Sequence, residues 1–280
     1  MPSRPLRKSA SSARGAASFV AESLRTGRKL SSKGRFLVRA DSAYYNQSAV
    51  ATALAQGADM SVTVRMNSSI KKAIAGIGED MWETIQYPQA LYDEDTERWI
   101  SKAEVAEIDY TAFSSKKKSA RIPGRLIVRR IPELNLKKAA GQDPLFTAYR
   151  YHGVFSTVPK EVLNTVDMDK THRQHAVIEA VNAELKDSAL AHMPSGKFSA
   201  NSAWLHAAVI AYNLSRAAGI LAAGRFTRAK IRTLRKELIL VPARIASSAR
   251  KIKLHLPQNW PRAQPWQRLF TSVKAPPQTT

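Results

Sequence analysis

The chain contains no cysteine and no glycine-rich loop of the kind that binds phosphates. The absence of cysteine excludes disulfide bonds and thiolate metal sites, and it fits a reducing cytoplasm. The absence of a glycine-rich loop leads us to expect no nucleotide cofactor.

Uninterrupted apolar runs are also lacking. The most apolar segment, residues 204–224, contains His206, Asn213 and Arg216. A membrane-spanning helix needs about 20 mostly apolar residues and seldom carries a charge. The segment is therefore predicted to be a buried helix, and we expect no membrane partner. Residues 1–18 also lack the apolar stretch of a signal peptide.

Acidic residues are scarce at both ends of the chain. Residues 1–39 hold ten Lys/Arg and one acid, Glu22, whereas residues 211–280 hold fourteen and one acid, Glu237. The middle has twenty of each sign, so the ends account for all of the net charge of +22. Basic ends favour a polyanionic partner, and nucleic acid is the first candidate because phosphate neutralisation dominates its binding. The alternative is a basic tail that only keeps the protein soluble.

The first part of the chain reads as a strand, a helix and a strand. RFLVRAD at 35–41 predicts a short buried strand, and NQSAVATALAQG at 46–57 predicts a helix that ends at Gly57. DMSVTVRM at 59–66 predicts a second strand because apolar and polar residues alternate. This order predicts a parallel pair of strands.

The segments from about residue 78 to 158 then read as strands separated by polar turns. They include EVAEIDYTAF, RLIVRRI and LFTAYRYHGVFSTV. Helical patterns return after them. The chain is therefore predicted to be an α/β protein with an antiparallel β region in its middle.

Asp41 stands directly after the first predicted strand, in the sequence RADSAYY. An aspartate in this place often caps a turn. It is also well placed to be one ligand of a metal ion whose other ligands lie farther along the chain. The sequence leaves both interpretations open.

A polar stripe is predicted on the helix THRQHAVIEAVNAELKDS. Spacings of three and four residues place His172, His175, Glu179, Asn182 and Lys186 on one face. Apolar residues occupy the opposite face: Val177, Ile178, Val181 and Leu185. Lys186 lies about 10 Å along the axis from Glu179, too far to share an ion but suitable for holding a phosphate. The alternative is an ordinary solvated helix face.

Asp41 and Glu179 together predict a divalent metal site. Carboxylate oxygens are the ligands that Mg²⁺ prefers. Two such ions can activate water and stabilise the leaving oxygen in phosphodiester cleavage.

The C-terminal segment ARKIKLHLP predicts a strand with one basic and one apolar face. Lys251 and Lys253 alternate with Ile252, Leu254 and Leu256. We expect the two lysines to contact DNA, and a merely solvated surface is the alternative.

These residues resemble a known family, the bacterial insertion-sequence transposases with an Asp-Asp-Glu site known as DDE group 1. The signature of that group is Y-x2-R-x3-E-x6-K, and this chain reads His172-x2-His175-x3-Glu179-x6-Lys186. RADSAYY resembles the segment that carries the family's second catalytic aspartate. Similarity extends through AEVAEIDYTAF and HMPSGKFSANSAWLHAAVIAYNL, from about residue 15 to 265.

The resemblance implies a ribonuclease-H-like α/β core, here incomplete because its first strands are missing. It implies a β-rich insertion between the strand with the second aspartate and the helix with the glutamate. The resulting organisation is a disordered basic leader (1–14), the first part of the core (15–77), the insertion (78–158), the helical second part of the core (159–224) and a basic C-terminal region (225–280).

The resemblance also implies a function and a set of site residues. Asp41 and Glu179 would be catalytic and would bind Mg²⁺ (or Mn²⁺) during cut-and-paste transposition. Contacts to DNA would come from Lys186, Arg173, His172 and His175. The partners would be transposon-end DNA and either a second copy or a full-length transposase, in the bacterial cytoplasm near the nucleoid.

Two departures from the family pattern limit this expectation. Residues 1–14 contain no acid, so the family's first catalytic aspartate is absent and the chain is expected to be N-terminally truncated and inactive alone. Histidines replace the signature Tyr and Arg, and neutral histidine cannot fork onto a phosphate as arginine does. The alternative function is a non-catalytic DNA-binding remnant or an inhibitor of full-length transposase.

Overall fold

The computed structural model describes residues 15–31, 33–85, 91–93, 98–100, 103–132, 149–174, 177–248, 251–257 and 259–274. The chain divides into two compact units, Met1–His175 and Ala176–Thr280.

The first unit combines helices with a mixed sheet. Its helices are α1 (Ala16–Leu30), α2 (Gln47–Ala55), α3 (Ser68–Ala75) and α4 (Thr165–Arg173). Its strands are β1 (Phe36–Ala40), β2 (Ala58–Thr63), β3 (Glu83–Thr84), β4 (Leu91–Asp93), β5 (Arg98–Ile100), β6 (Glu104–Ala112), β7 (Ile122–Pro132) and β8 (Tyr149–Ser156).

Six of these strands form one sheet in the order β1-β2-β8-β7-β6-β3, and β4 and β5 pair separately. β1 and β2 are parallel, whereas every other pair in the sheet is antiparallel. The predicted parallel pair and the predicted antiparallel region are both confirmed. They form one continuous sheet, because β8 pairs with β2.

The sheet is covered on both faces. On one face, Val20 of α1 and Val50 of α2 pack with strand residues such as Met60 and Leu126. On the other face, Met168 of α4 packs with Ile127 and Val154. Side chains of successive strand residues point to opposite faces, so Leu126 and Ile127 belong to different clusters.

The second unit is mainly helical. It contains α5 (Val177–Lys186), α6 (Phe198–Ala222), α7 (Ile231–Leu234), a π-helical turn (Arg235–Ile239) and α8 (Ala263–Lys274), with a hairpin of β9 (Arg244–Ser248) and β10 (Lys251–His255). Its small core joins Ala222, Phe226, Leu234 and Leu238. Gly219 lets the chain pass closely here, since a Cβ would lie 2.7 Å from the carbonyl oxygen of Phe226.

The prediction that residues 204–224 form a buried helix is wrong with respect to burial. α6 is a helix, but Ile210 is 60% exposed and Leu214 67% exposed. Apolar residues lie all around this helix, so a neighbour on one side covers only part of it. By length and composition alone, α6 is the one helix of the described residues that could span a membrane, a test that core helices of soluble proteins also pass.

Candidate active site

Asp41 lies at the carboxyl end of β1, where the chain turns into a short 3₁₀ helix (Ser42–Tyr44). Its Oδ1 accepts a hydrogen bond of 2.9 Å from the backbone N–H of Ala43. The side chain is exposed. Asp41 therefore caps a turn and also presents a carboxylate to solvent, so the two interpretations of the sequence are compatible.

The residues around Asp41 hold it on a rigid support. Arg39 donates a hydrogen bond of 2.6 Å to the carbonyl oxygen of Thr171, and its Nη1 is 3.4 Å from Oε1 of Gln174. This contact ties the end of β1 to the end of α4. On the other side, the ring of Tyr45 stacks on Phe113 with centroids 5.0 Å apart, and burial raises the pKa of Tyr45 well above its usual value.

His172 is buried, 3% exposed, on the face of α4 that packs against the sheet. Its Nδ1 is 2.7 Å from Oγ of Ser61 and its Nε2 is 3.0 Å from Oγ1 of Thr63. The predicted solvent-facing position of His172 is therefore corrected. The sequence pattern predicts one long helix with a single apolar face. In the structure, His172 lies on the separate helix α4, which has a buried face of its own.

A buried charged pair lies one turn from His172. Asp169 is 4% exposed and its Oδ2 is 3.7 Å from Nη1 of Arg129 on β7. Burial raises the pKa of Asp169 to about 6, against an opposing effect of Lys170. Together with His172, these groups join α4 to the centre of the sheet.

Glu179 and Lys186 lie in the first and last turns of α5 in the second unit, and both are exposed. Arg173 is exposed at the end of α4, and His175 lies outside the described residues. On α5, Leu185 is buried but Ile178 is 57% exposed, so the predicted apolar face is buried only in part. The joint binding of one metal site by Asp41 and Glu179 stays a prediction.

The donor atoms of the two acids suit a hard divalent ion, since carboxylate oxygens are its preferred ligands. Within the described ranges, however, no group of three or more His, Asp or Glu side chains could hold a metal ion.

Residues 4–278 match the family model described as "Transposase DDE domain group 1". The chain belongs to this family of DDE transposase domains. No match to the chain was found among curated proteins. Transposases of this family generally bind DNA, use divalent metal ions and are soluble cytoplasmic proteins.

The hairpin of this transposase domain carries the predicted basic face. Lys251, Lys253 and His255 alternate with Ile252 and Leu254 along β10, and all five are exposed. β9 contributes Arg244, which lies opposite His255 and so extends the basic face. The predicted strand is confirmed, and β9 is a partner strand that the sequence did not reveal.

Acidic side chains neutralise little of the positive charge near the C-terminus. Between residues 211 and 274, the ion pairs of the described residues are those of Glu237 with Arg225 and Arg262. The hydrogen bond from Arg262 lowers the pKa of Glu237. Cations such as Arg228, Lys251 and Lys253 therefore have no carboxylate partner there.

Sequence reasoning missed Arg39 as a positioning residue. The signal lay in RADSAYY itself, since Arg39 stands only two residues before Asp41.

Proposed function

We propose that the chain supplies Asp41 and Glu179 to the metal-dependent DNA cleavage and strand-transfer centre of a bacterial insertion-sequence transposase. The family match over residues 4–278 supports this proposal most strongly. The exposed carboxylate of Asp41 at the carboxyl end of β1 supports it further.

Asp41 and Glu179 would hold Mg²⁺ or Mn²⁺ through their carboxylate oxygens. The bound ions supply activation of water and stabilisation of the leaving oxygen. Arg39 keeps the end of β1 in place through its contact with α4. Lys186 and Arg173 would bind DNA phosphates beside the two acids, as would His175.

The mixed sheet supports a ribonuclease-H-like core with an inserted antiparallel region. β1 is an edge strand that pairs, among the described residues, with β2 alone. Its other edge can accept a strand that carries the third acid of the site. The chain by itself is therefore proposed to cleave DNA poorly or not at all.

The experiment measures Mn²⁺ binding by electron paramagnetic resonance and cleavage of insertion-sequence-end DNA with Mg²⁺. Asp41→Asn and Glu179→Gln are expected to weaken Mn²⁺ binding. Asp80→Asn is the matched control, since Asp80 is an exposed acid in a 3₁₀ turn. Equal Mn²⁺ binding by all variants would exclude the metal site, and Mg²⁺-dependent cleavage lost in Asp41→Ala would show that the chain is active alone.

A second candidate function is DNA binding without catalysis, as a remnant or an inhibitor of full-length transposase. The exposed basic face of β10 favours it. In that case, duplex DNA binding and inhibition of full-length transposase are unaffected by Asp41→Asn but weakened by loss of Lys251 and Lys253.

A further inference from the structure

A cavity of about 480 Å³ opens between the end of β2, α3 and the start of β8. Its volume is in the range of about 300–1,000 Å³ that is usual for small-molecule sites. The lining residues are Met66, Lys71, Ile74, Ala75, Tyr149, Arg150 and Tyr151.

The cavity and Asp41 lie at the same end of the strands of the sheet. Asp41 follows the carboxyl end of β1, and Met66 follows the carboxyl end of the parallel strand β2. β8 is antiparallel to β2, so its first residue, Tyr149, is also at this end. Only β2 separates β1 from β8, which places these two strands about 10 Å apart.

Two tyrosines give the cavity an aromatic wall. The ring centroids of Tyr149 and Tyr151 are 6.3 Å apart. The guanidinium of Arg130 lies 4.5 Å from the ring centre of Tyr149 and is itself held by Glu104 and Glu79. This support fixes the wall before any ligand arrives.

The rest of the lining is apolar or positively charged. Met66 and Ile74 contribute apolar surface. Lys71 and Arg150 are exposed cations, and none of the described residues that line the cavity carries a carboxylate. The ligand that fits has a flat apolar part and a negative charge.

We propose that the cavity binds one unpaired nucleotide of the DNA substrate. The base stacks against Tyr149 and Tyr151, and its phosphate lies by Lys71 and Arg150. Aromatic side chains stack on any base, so this contact is independent of sequence. The inference rests on the proposed function, because it concerns the DNA that the site of Asp41 would cleave.

The test compares two fluorescent oligonucleotides of equal charge, a ten-nucleotide thymidine strand and an abasic strand of the same length. Wild type is expected to bind the thymidine strand more tightly. Tyr149→Ala should reduce that affinity roughly 5- to 100-fold, the loss typical of one stacked base. The same change should leave the abasic strand's affinity unchanged, and Tyr149→Phe should restore stacking.

A second variant avoids the packing around Arg130. Ala75→Glu places a negative charge on the exposed rim of the cavity and should weaken binding of the thymidine strand. Ser69→Glu is the matched control, because Ser69 is exposed on the same helix but does not line the cavity. Equal effects of the two substitutions would overturn the proposal.

The proposal also fails if wild type binds both strands equally or if Tyr149→Ala weakens both to the same degree. Duplex DNA binding by wild type separates the two hypotheses. If either result is found and wild type still binds duplex DNA, only the nucleotide site is excluded. If wild type does not bind duplex DNA at all, the proposed function itself is overturned.

Discussion

In the first unit, arginines beside the sheet are held by acids and carbonyl groups, whereas most cations among the described residues after 227 in the second unit form no ion pair. Arg125 bonds Glu107 at 2.6 Å and the carbonyl oxygens of Val158 and Leu163. Lys251 and Lys253 lie exposed on a hairpin, and neither forms an ion pair with an acid of the described residues. Positive charge thus stabilises the fold in one region and is available to DNA in the other.

Some basic residues of the N-terminal segment also have structural partners. Arg28 donates to the carbonyl oxygens of Gln56 and Gly57, and Arg35 pairs with Asp59 at 2.8 Å. Part of the charge excess before residue 40 therefore supports the junction of α1, α2 and β2. A charge count alone does not distinguish such residues from DNA contacts.

The largest effect is expected for Arg125→Ala. Its side chain is 9% exposed, and its removal leaves Glu107, which is 12% exposed, with Lys160 as its remaining ion-pair partner among the described residues. We expect the free energy of unfolding to fall by about 3–5 kcal/mol, measured by urea denaturation. Lys253→Ala, the control from the hairpin, should change it by less than about 0.5 kcal/mol. Similar losses in both variants would contradict the division between the two regions.

The buried Asp169 predicts a dependence of stability on pH. Burial raises its pKa to about 6 from an ordinary 3.8, so the folded protein binds this proton more tightly than the unfolded chain. The stabilising contribution is therefore complete below pH 3.8 and is lost as the pH rises through 6. Relative to Asp169→Asn, wild type should lose about 1–3 kcal/mol of stability between pH 4 and pH 7. A stability difference between wild type and Asp169→Asn that stays constant from pH 4 to pH 7 would exclude the raised pKa of Asp169.

A smaller effect is expected for Arg39→Ala. Loss of the hydrogen bond to the Thr171 carbonyl should lower the free energy of unfolding by about 1 kcal/mol, because Arg39 is exposed. Lys29→Ala, an exposed cation on α1, serves as the control. Hydrogen exchange at the end of α4 should be faster in Arg39→Ala but not in Lys29→Ala. Unchanged hydrogen exchange in Arg39→Ala would exclude a positioning role for Arg39.

The smallest effect on stability is expected for the double variant Lys251→Ala and Lys253→Ala. Its fold should be intact, but the slope of log affinity for duplex DNA against log salt should decrease in magnitude by about 1.8, for two lost phosphate contacts. Arg35→Ala should leave this slope unchanged because Arg35 is paired with Asp59. Equal slopes in all three proteins would show that the hairpin does not contact phosphates.

Local patterns predicted the strands and helices near Asp41 well. RFLVRAD and NQSAVATALAQG correspond to β1 and α2, since Asn46 caps the helix and Gly57 follows it with a positive φ of 65°. The prediction that His172 lies on an exposed polar face is wrong. Burial of a histidine depends on Ser61 and Thr63, which are more than a hundred residues away along the chain. Helical periodicity contains no information about such partners.

The tyrosine-lined cavity was hidden for the same reason. Tyr149 and Met66 become neighbours only through the pairing of β8 with β2. Asp41 was predictable because its position follows from a single strand. The environment of Asp169 was not, because it requires β7 and α4 together.

The pairing of β2 with β8 also has a consequence for the order of folding during synthesis. Ser61 pairs with Ser156, so the ribosome must add almost a hundred residues before β2 gains its second neighbour. β6 and β7 are joined by a short connection and are both synthesised before β8, and closing a short loop costs less entropy. We expect the antiparallel strands to assemble first on the nascent chain, and the strand that bears Asp41 to join a finished template through β2.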